Sequence, residues 1–322
     1  MKLGVFYDES MPYVGLRPDK KVLSEISGFA ELIDCVNYKQ AVQKEYDCLI
    51  NLHGPYFIKE VWSYIRNHLG KGRGFVNIGC GNPFSRPVSH RDNGWYIERE
   101  QTGYHEKLNI YDGLAVKKDR MDCLCVNNDI PVLKGFEDCF EIQDTVGFIV
   151  QFTQYKDMPH ENGSVGPMDA VLYPLLDGYM SCGRKTAAPV VMIENTKGQY
   201  EGGRWIFVNH NTTSAFWENN GAALINLLSG YAAKKAYEII VRPNYASYYP
   251  GEQPALLLQA QYFGSGVLNT EIKLSVKYGD KVIWNKDVNI GIMSEITYIS
   301  IPVGITIEKG VYSLTAEVHS ES

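Results

Sequence analysis

No apolar run in this chain approaches the roughly 18 residues that a helix needs to cross a bilayer. The first residues, Met-Lys-Leu-Gly-Val-Phe-Tyr-Asp, turn polar too soon for a signal peptide and read as a strand that starts at once. Basic residues are not in excess: 31 Lys and Arg stand against 37 Asp and Glu, a net charge of −6. That balance offers no electrostatic reason to expect nucleic acid or a membrane surface as partner. A disulfide framework is missing as well. The seven cysteines (Cys35, Cys48, Cys80, Cys123, Cys125, Cys139 and Cys182) are odd in number and follow no framework spacing. A reducing, cytoplasmic compartment is therefore expected; an extracellular one would require a signal segment removed from a longer precursor. Metal-ligand spacing is absent too: Cys123-Leu-Cys125 falls one residue short of C-x-x-C, and nothing links His53 and His90, which read as loop or surface residues. No metal and no cofactor are expected. Internal repeats and low-complexity tracts are also lacking.

What is present is an ordinary globular composition, 45% hydrophobic and 21% charged, over 322 residues, long enough for two domains. Tyrosine is abundant, with 22 residues; such rings suit sugar or protein contacts as well as cores. Up to about residue 235 apolar runs alternate with helical patterns. Strands are expected over 2–7, 46–52 and 75–78, and helices over 21–32, 58–68 and 222–232, the last burying Leu224, Ile225, Leu227 and Leu228. This alternation predicts an α/β domain with a doubly wound, mostly parallel, flavodoxin-like sheet. Residues 83–181 read as a large decorated insertion with a strand at 146–152. Strands at 189–194 and 204–209, joined by a Gly-rich turn, form a hairpin signal. Over 236–322 the pattern changes to period two, with six short strands between Gly, Pro and Asn turns, and predicts an antiparallel immunoglobulin-like β-sandwich.

The most informative segment is Phe75-Val-Asn-Ile-Gly-Cys80-Gly-Asn-Pro. An apolar run that stops at Gly-Cys-Gly describes a buried strand turning sharply and presenting one thiol at its carboxyl end. Open α/β sheets bind ligands at that edge, and the glycines tolerate the backbone such an elbow needs. His210 follows another strand and could reach the same edge. A Cys–His pair is the minimum for thiolate chemistry, since the imidazole lowers the thiol pKa and carries its proton. Gly54, in Leu52-His53-Gly54-Pro55, could offer a backbone N–H to an oxyanion.

Together these segments resemble the class I glutamine amidotransferase-like superfamily: a Gly-rich oxyanion loop at Leu52–Pro55, a Cys elbow at Ile78-Gly-Cys80-Gly81 and a late strand ending in His at Phe207–His210, followed by a closing helix. The resemblance covers roughly residues 1–235 and matches the middle third poorly. It implies Cys80 as nucleophile, His210 as base and Gly54 in the oxyanion hole of a thiol-dependent hydrolase or amidotransferase. The chain departs from that pattern at Ile78 and Asn82, where glycines are expected, and at Thr212, where a Glu would orient the His. Glu194 and Glu218 are the carboxylates left to replace it. The segment Gly-Gly-Arg-Trp-Ile-Phe-Val-Asn-His looks closer to the trehalose-utilisation-like and β-galactosidase middle-domain branches, which are associated with carbohydrate metabolism and often lack a working triad. The resemblance thus implies a non-catalytic or weakly catalytic module of a carbohydrate-active, glycoside hydrolase-associated protein. Its expected partners are a carbohydrate and either a second copy of the chain or neighbouring domains of a longer one.

A second candidate site is Trp95-Tyr-Ile-Glu98-Arg-Glu100-Gln-Thr-Gly-Tyr104-His105-Glu. Glu98 and Glu100 share a face if the segment is a strand, and acids beside Tyr104 and His105 are the groups that sugar binding uses. The plainer reading is a solvated strand with salt-bridged charges.

Overall fold

The computed structural model describes residues 1–39, 41–92, 94–150, 169–234, 237–262 and 266–320. They divide into two compact units, Met1–Ala233 and Lys234–Ser322.

In the first unit the chain forms β1 (Leu3–Phe6), α1 (Lys20–Ser27), β2 (Glu31–Ile33), β3 (Cys48–Asn51), β4 (Tyr56–Ile58), α2 (Trp62–Gly70), β5 (Gly74–Ile78), β6 (Arg86–Arg91), β7 (Gly94–Ile97), β8 (Ile110–Val116), β9 (Cys123–Val126), β10 (Thr145–Val150), β11 (Ala170–Tyr179), β12 (Lys185–Asn195), β13 (Arg204–Val208), α3 (Ser214–Glu218) and α4 (Gly221–Ala232). Eight strands make the main sheet, in the order β2-β1-β3-β5-β13-β12-β11-β9. The first five run parallel, and β12, β11 and β9 are each antiparallel to their neighbours. Two small sheets, β4-β6-β7 and β10-β8, accompany it.

This corrects the expected doubly wound, mostly parallel, flavodoxin-like sheet: the sheet is mixed. A parallel neighbour needs a crossover long enough to carry a helix, whereas antiparallel neighbours need only a turn. Residues 180–184 and 196–203 are short connections of the second kind, so β11, β12 and β13 run back and forth. The 83–181 region supplies strands rather than crossover helices, and its part at 151–168 lies outside the described residues.

Side chains alternate across the main sheet as period two requires. Val5, Ile50, Val76, Ile78, Ile206 and Val208 face one core, which α1, α3 and α4 close with Val22, Ile26, Phe216, Leu224, Ile225 and Leu228. Phe6, Leu49, Phe75, Trp205 and Phe207 face the other, closed by Trp62, Ile65 and Leu69 of α2 and by Phe57, Phe84 and Val88. Asp19 caps α1, accepting from the Val22 amide at 2.8 Å. The helix ends at Gly28, so the expected helix over 21–32 is shorter and Leu32 belongs to β2. On α4 the expected buried face loses Leu227, which is exposed.

The second unit consists of β14 (Tyr237–Pro243), β15 (Ala255–Tyr262), β16 (Leu268–Tyr278), β17 (Lys281–Ile292), β18 (Thr297–Pro302) and β19 (Tyr312–Ser320). They form two antiparallel three-stranded sheets, β14-β15-β18 and β17-β16-β19. Alternate residues (Leu256, Leu258 and Ala260 on one sheet, Ile272, Leu274 and Val276 on the other) share one core.

Candidate active site at the strand ends

Because β1, β3, β5 and β13 are adjacent and parallel, their carboxyl ends lie along one edge. Asp8, His53, Cys80 and His210 each follow one of these strands by two residues. This is the edge that open α/β sheets use for ligands.

The elbow at Cys80 rests on close backbone contact. Gly79 has φ +121° and Gly81 φ +144°. A Cβ at Gly79 would stand 2.9 Å from Gly54 Cα, and one at Gly81 would stand 2.9 Å from the Pro55 ring. The loop after β3 and the elbow after β5 are thus packed backbone to backbone, which only glycine permits. Gly54 itself has φ +61°, and its carbonyl accepts from Asn51 Nδ2 at 2.9 Å.

Residues 141–145 form a strap over the ends of β5 and β13. The half-buried Cys80 Sγ donates to the Asp144 carbonyl at 3.6 Å. Burial first, and the Asp144 carboxylate second, push its thiol up to about 11. His210 is 2% exposed. Its Nε2 faces the Glu141 backbone, with the carbonyl oxygen at 2.5 Å and the amide nitrogen at 3.2 Å, and its ring meets Phe140 edge to face at 5.6 Å. Burial holds the imidazole below its ordinary pKa, so it is neutral. Thr145 Oγ1 donates to the Asn209 carbonyl at 2.6 Å and Asn209 Nδ2 to the Val146 carbonyl at 3.0 Å, fixing the strap to the end of β13.

Thr212 is buried, and its hydroxyl donates to the Leu16 carbonyl at 2.7 Å, with Tyr13 Oη at 3.3 Å. It anchors the loop before α1. Glu194 cannot orient His210: it pairs with Arg204 where β13 begins, whereas His210 lies beyond that strand's other end. Glu218 is exposed at the end of α3.

His53 is not a surface residue but fully buried. Its Nδ1 lies 2.8 Å from the Pro12 carbonyl and its Nε2 accepts from the Asp8 amide at 3.1 Å. The Tyr7 ring stacks on it at 5.6 Å and Tyr13 meets it edge to face at 5.5 Å. Burial lowers its pKa to about 4. Beside it, burial acts to raise the Asp8 pKa, but hydrogen bonds from Ser10, Trp95 and Met11 outweigh it and hold the carboxylate below its ordinary range. Arg17 spans the same loop, donating to the Met11 carbonyl at 2.6 Å and lying 4.8 Å over the Tyr13 ring. Sequence reasoning missed this Tyr7–Asp8–Tyr13–Arg17 group. The available signal was Tyr7-Asp8 directly after an apolar strand, the position that singled out Cys80.

The residues of the second candidate site are dispersed. The strand β7 ends at Ile97, so Glu98 and Glu100 do not share a strand face. Glu98 pairs with Lys59 at 2.7 Å and Glu100 with Arg86 at 2.8 Å. Tyr104 packs its ring on Phe57 and Trp62 at 4.9 and 5.2 Å. His105 is fully buried, with Nδ1 2.6 Å from the Ile110 carbonyl. His90 is exposed beside Trp95. Cys123 and Cys125 lie exposed on the edge strand β9, and among the described residues no group of three or more His, Cys, Asp or Glu could hold a metal ion. No helix among them is long and apolar enough to cross a membrane.

No family model and no curated protein sequence matches the chain. Among solved structures it is similar to a cold-adapted β-galactosidase from Rahnella sp. R3, at 9% identity and a TM-score of 0.35, over 94% of this chain and 41% of that one. It is also similar to Gan42B, a GH42 β-galactosidase from G. stearothermophilus, at 8% identity and a TM-score of 0.37, over 93% of this chain and 40% of that one. The chain thus spans about two fifths of the length of these structures.

Proposed function

We propose that residues 1–233 form an amidotransferase-like module without working thiol chemistry, serving a carbohydrate-active protein by assembly or by shaping a neighbouring sugar site. The carrying observation is the strap at residues 141–145. It gives the Cys80 thiol a carbonyl acceptor and the His210 ring a backbone partner, where a thiolate mechanism needs the two side chains facing each other. A thiol held up to about 11 is almost wholly protonated at neutral pH. Thr212, in the position of the family's orienting Glu, is committed to the loop before α1. The carbohydrate part of the reading comes from the sequence resemblance around Gly202–His210.

Sedimentation and a sugar-dependent thermal shift, measured on the full chain beside alkylation of Cys80, test the proposal. An assembly larger than the monomer, or a shift with at least one sugar, is expected, with slow alkylation. A monomer that no sugar stabilises would overturn the assembly and sugar parts. Alkylation of Cys80 below pH 7, far faster than that of the other six cysteines, would overturn the inert-thiol part and favour a hydrolase using Cys80, His210 and the Gly54 amide.

A further inference from the structure

The second unit contains a cleft of about 420 Å³ at the end of its sheets, within the rough 300–1,000 Å³ range of small-molecule sites. Leu256, Val303 and Leu314 contribute its apolar part, and Tyr245, Tyr248 and Tyr312 contribute rings. All belong to this unit, and all are described residues.

Two of the rings are held in place by their own loops. The Tyr248 hydroxyl donates to the Asn244 side-chain oxygen and accepts from the Tyr245 amide at 3.3 Å. The Tyr312 hydroxyl accepts from the Glu308 amide at 2.9 Å and donates to the Glu308 carbonyl at 3.1 Å. With these hydroxyls engaged, the rings have mainly their faces to offer. Tyr245, 65% exposed, meets Tyr248 edge to face at 5.9 Å and is free to cover a ligand. Fixed aromatic faces lose little conformational entropy when they are covered.

The rim carries a carboxylate and an ammonium on consecutive residues, Glu308 and Lys309. Neither side chain is hydrogen-bonded or ion-paired among the described residues; only the Glu308 backbone is engaged, by Tyr312. Their opposite charges cancel, so the rim selects for neither an anion nor a cation and offers a hydrogen-bond acceptor beside a donor. A ligand with an apolar face for the rings and hydroxyls for the rim matches the whole set, and a pyranose has both.

We propose that this cleft is a saccharide-binding site: Tyr245 stacks on the C–H face of a sugar ring, and Glu308 and Lys309 bond its hydroxyls. The proposal rests on the carbohydrate reading above for the class of ligand, and on the second unit alone for the place.

The test titrates the full chain with galactose, glucose, lactose and cellobiose, following saturation-transfer NMR for contact and calorimetry for affinity. At least one sugar is expected to saturate. Tyr245→Ala should weaken it about tenfold, Tyr245→Phe should bind as the parent does, and Glu308→Gln should weaken it severalfold. Both positions are at the surface, so unchanged thermal melting certifies the fold. A sugar that binds equally well to Tyr245→Ala and Glu308→Gln sits elsewhere; that result overturns the cleft and leaves the carbohydrate reading standing. No saturation by any of the four sugars, or binding of a poly-proline peptide in their place, overturns the cleft as a sugar site. Alkylation of Cys80 reports on the first unit separately from every one of these outcomes.

Discussion

Gly54 and Gly79 lie backbone against backbone: a Cβ on Gly79 would stand 2.9 Å from Gly54 Cα, and one on Gly54 would stand 3.2 Å from the Gly79 carbonyl carbon. The contact locks the loop after β3 to the elbow after β5, and with it the position of Cys80. Gly79→Ala must therefore pay twice, for φ +121° and for the collision. We expect a loss of about 2–3 kcal/mol in urea unfolding. Gly103→Ala, where a Cβ meets nothing within 4 Å, should stay within about 0.5 kcal/mol. Equal effects from the two substitutions would show that the elbow is not strained.

The Cys80 thiol, pushed up to about 11 from an ordinary 9.0, should hold about a hundredfold less thiolate at neutral pH than an unperturbed cysteine. Iodoacetamide at pH 7.5, followed by mass spectrometry, should label the exposed Cys182 well before Cys80. The Cys80 rate should keep rising past pH 9. A plateau below pH 8 would mean that an unrecognised group activates it.

Local pattern made the elements near this edge legible. The apolar runs of β1, β3 and β5, the i, i+3, i+4 face of α2, and the antiparallel pair β12–β13 follow from spacing and turn residues alone. How far the antiparallel part of the sheet extends was not legible, because it depends on which strands of the 83–181 region reach β12. The partners of the candidate groups were hidden for a similar reason. Cys80 finds its acceptor 64 positions away at Asp144, and His210 its partner 69 positions away at Glu141. His53 looked like a surface residue because the backbone groups that satisfy its two nitrogens, at Pro12 and Asp8, lie 41 and 45 positions earlier. Glu194 looked available to His210 until strand direction placed it at the far end of β13.

Thr212 offers a test of the loop before α1. Thr212→Val keeps the shape of the side chain and removes its hydrogen bonds to the Leu16 carbonyl and Tyr13. The Leu16 carbonyl retains the Trp217 indole N–H at 2.8 Å, so it is not left bare. The loss should thus fall near 1 kcal/mol rather than the roughly 3 kcal/mol of an orphaned buried group. Thr212→Ser, which keeps the hydroxyl, should lose less than Thr212→Val in the same denaturant titration. The reverse order would remove the hydrogen bond as the cause.

His53 should make the first unit sensitive to acid. Its pKa falls from an ordinary 6.5 to about 4 because burial disfavours the imidazolium. The unfolded chain therefore binds a proton near pH 6.5 that the folded chain refuses until about pH 4. Stability is unaffected above pH 6.5, declines as the pH falls from 6.5 towards 4, and loses at most about 3 kcal/mol from this group. His68, also buried and lowered to about 4, acts in the same direction, so the two declines add. Histidine ring resonances followed by NMR should show both groups still neutral at pH 5. Thermal melting should fall over the same interval. A His53 resonance titrating near pH 6.5 in the folded protein would mean that the ring is not enclosed by Tyr7, Tyr13 and the Pro12 carbonyl.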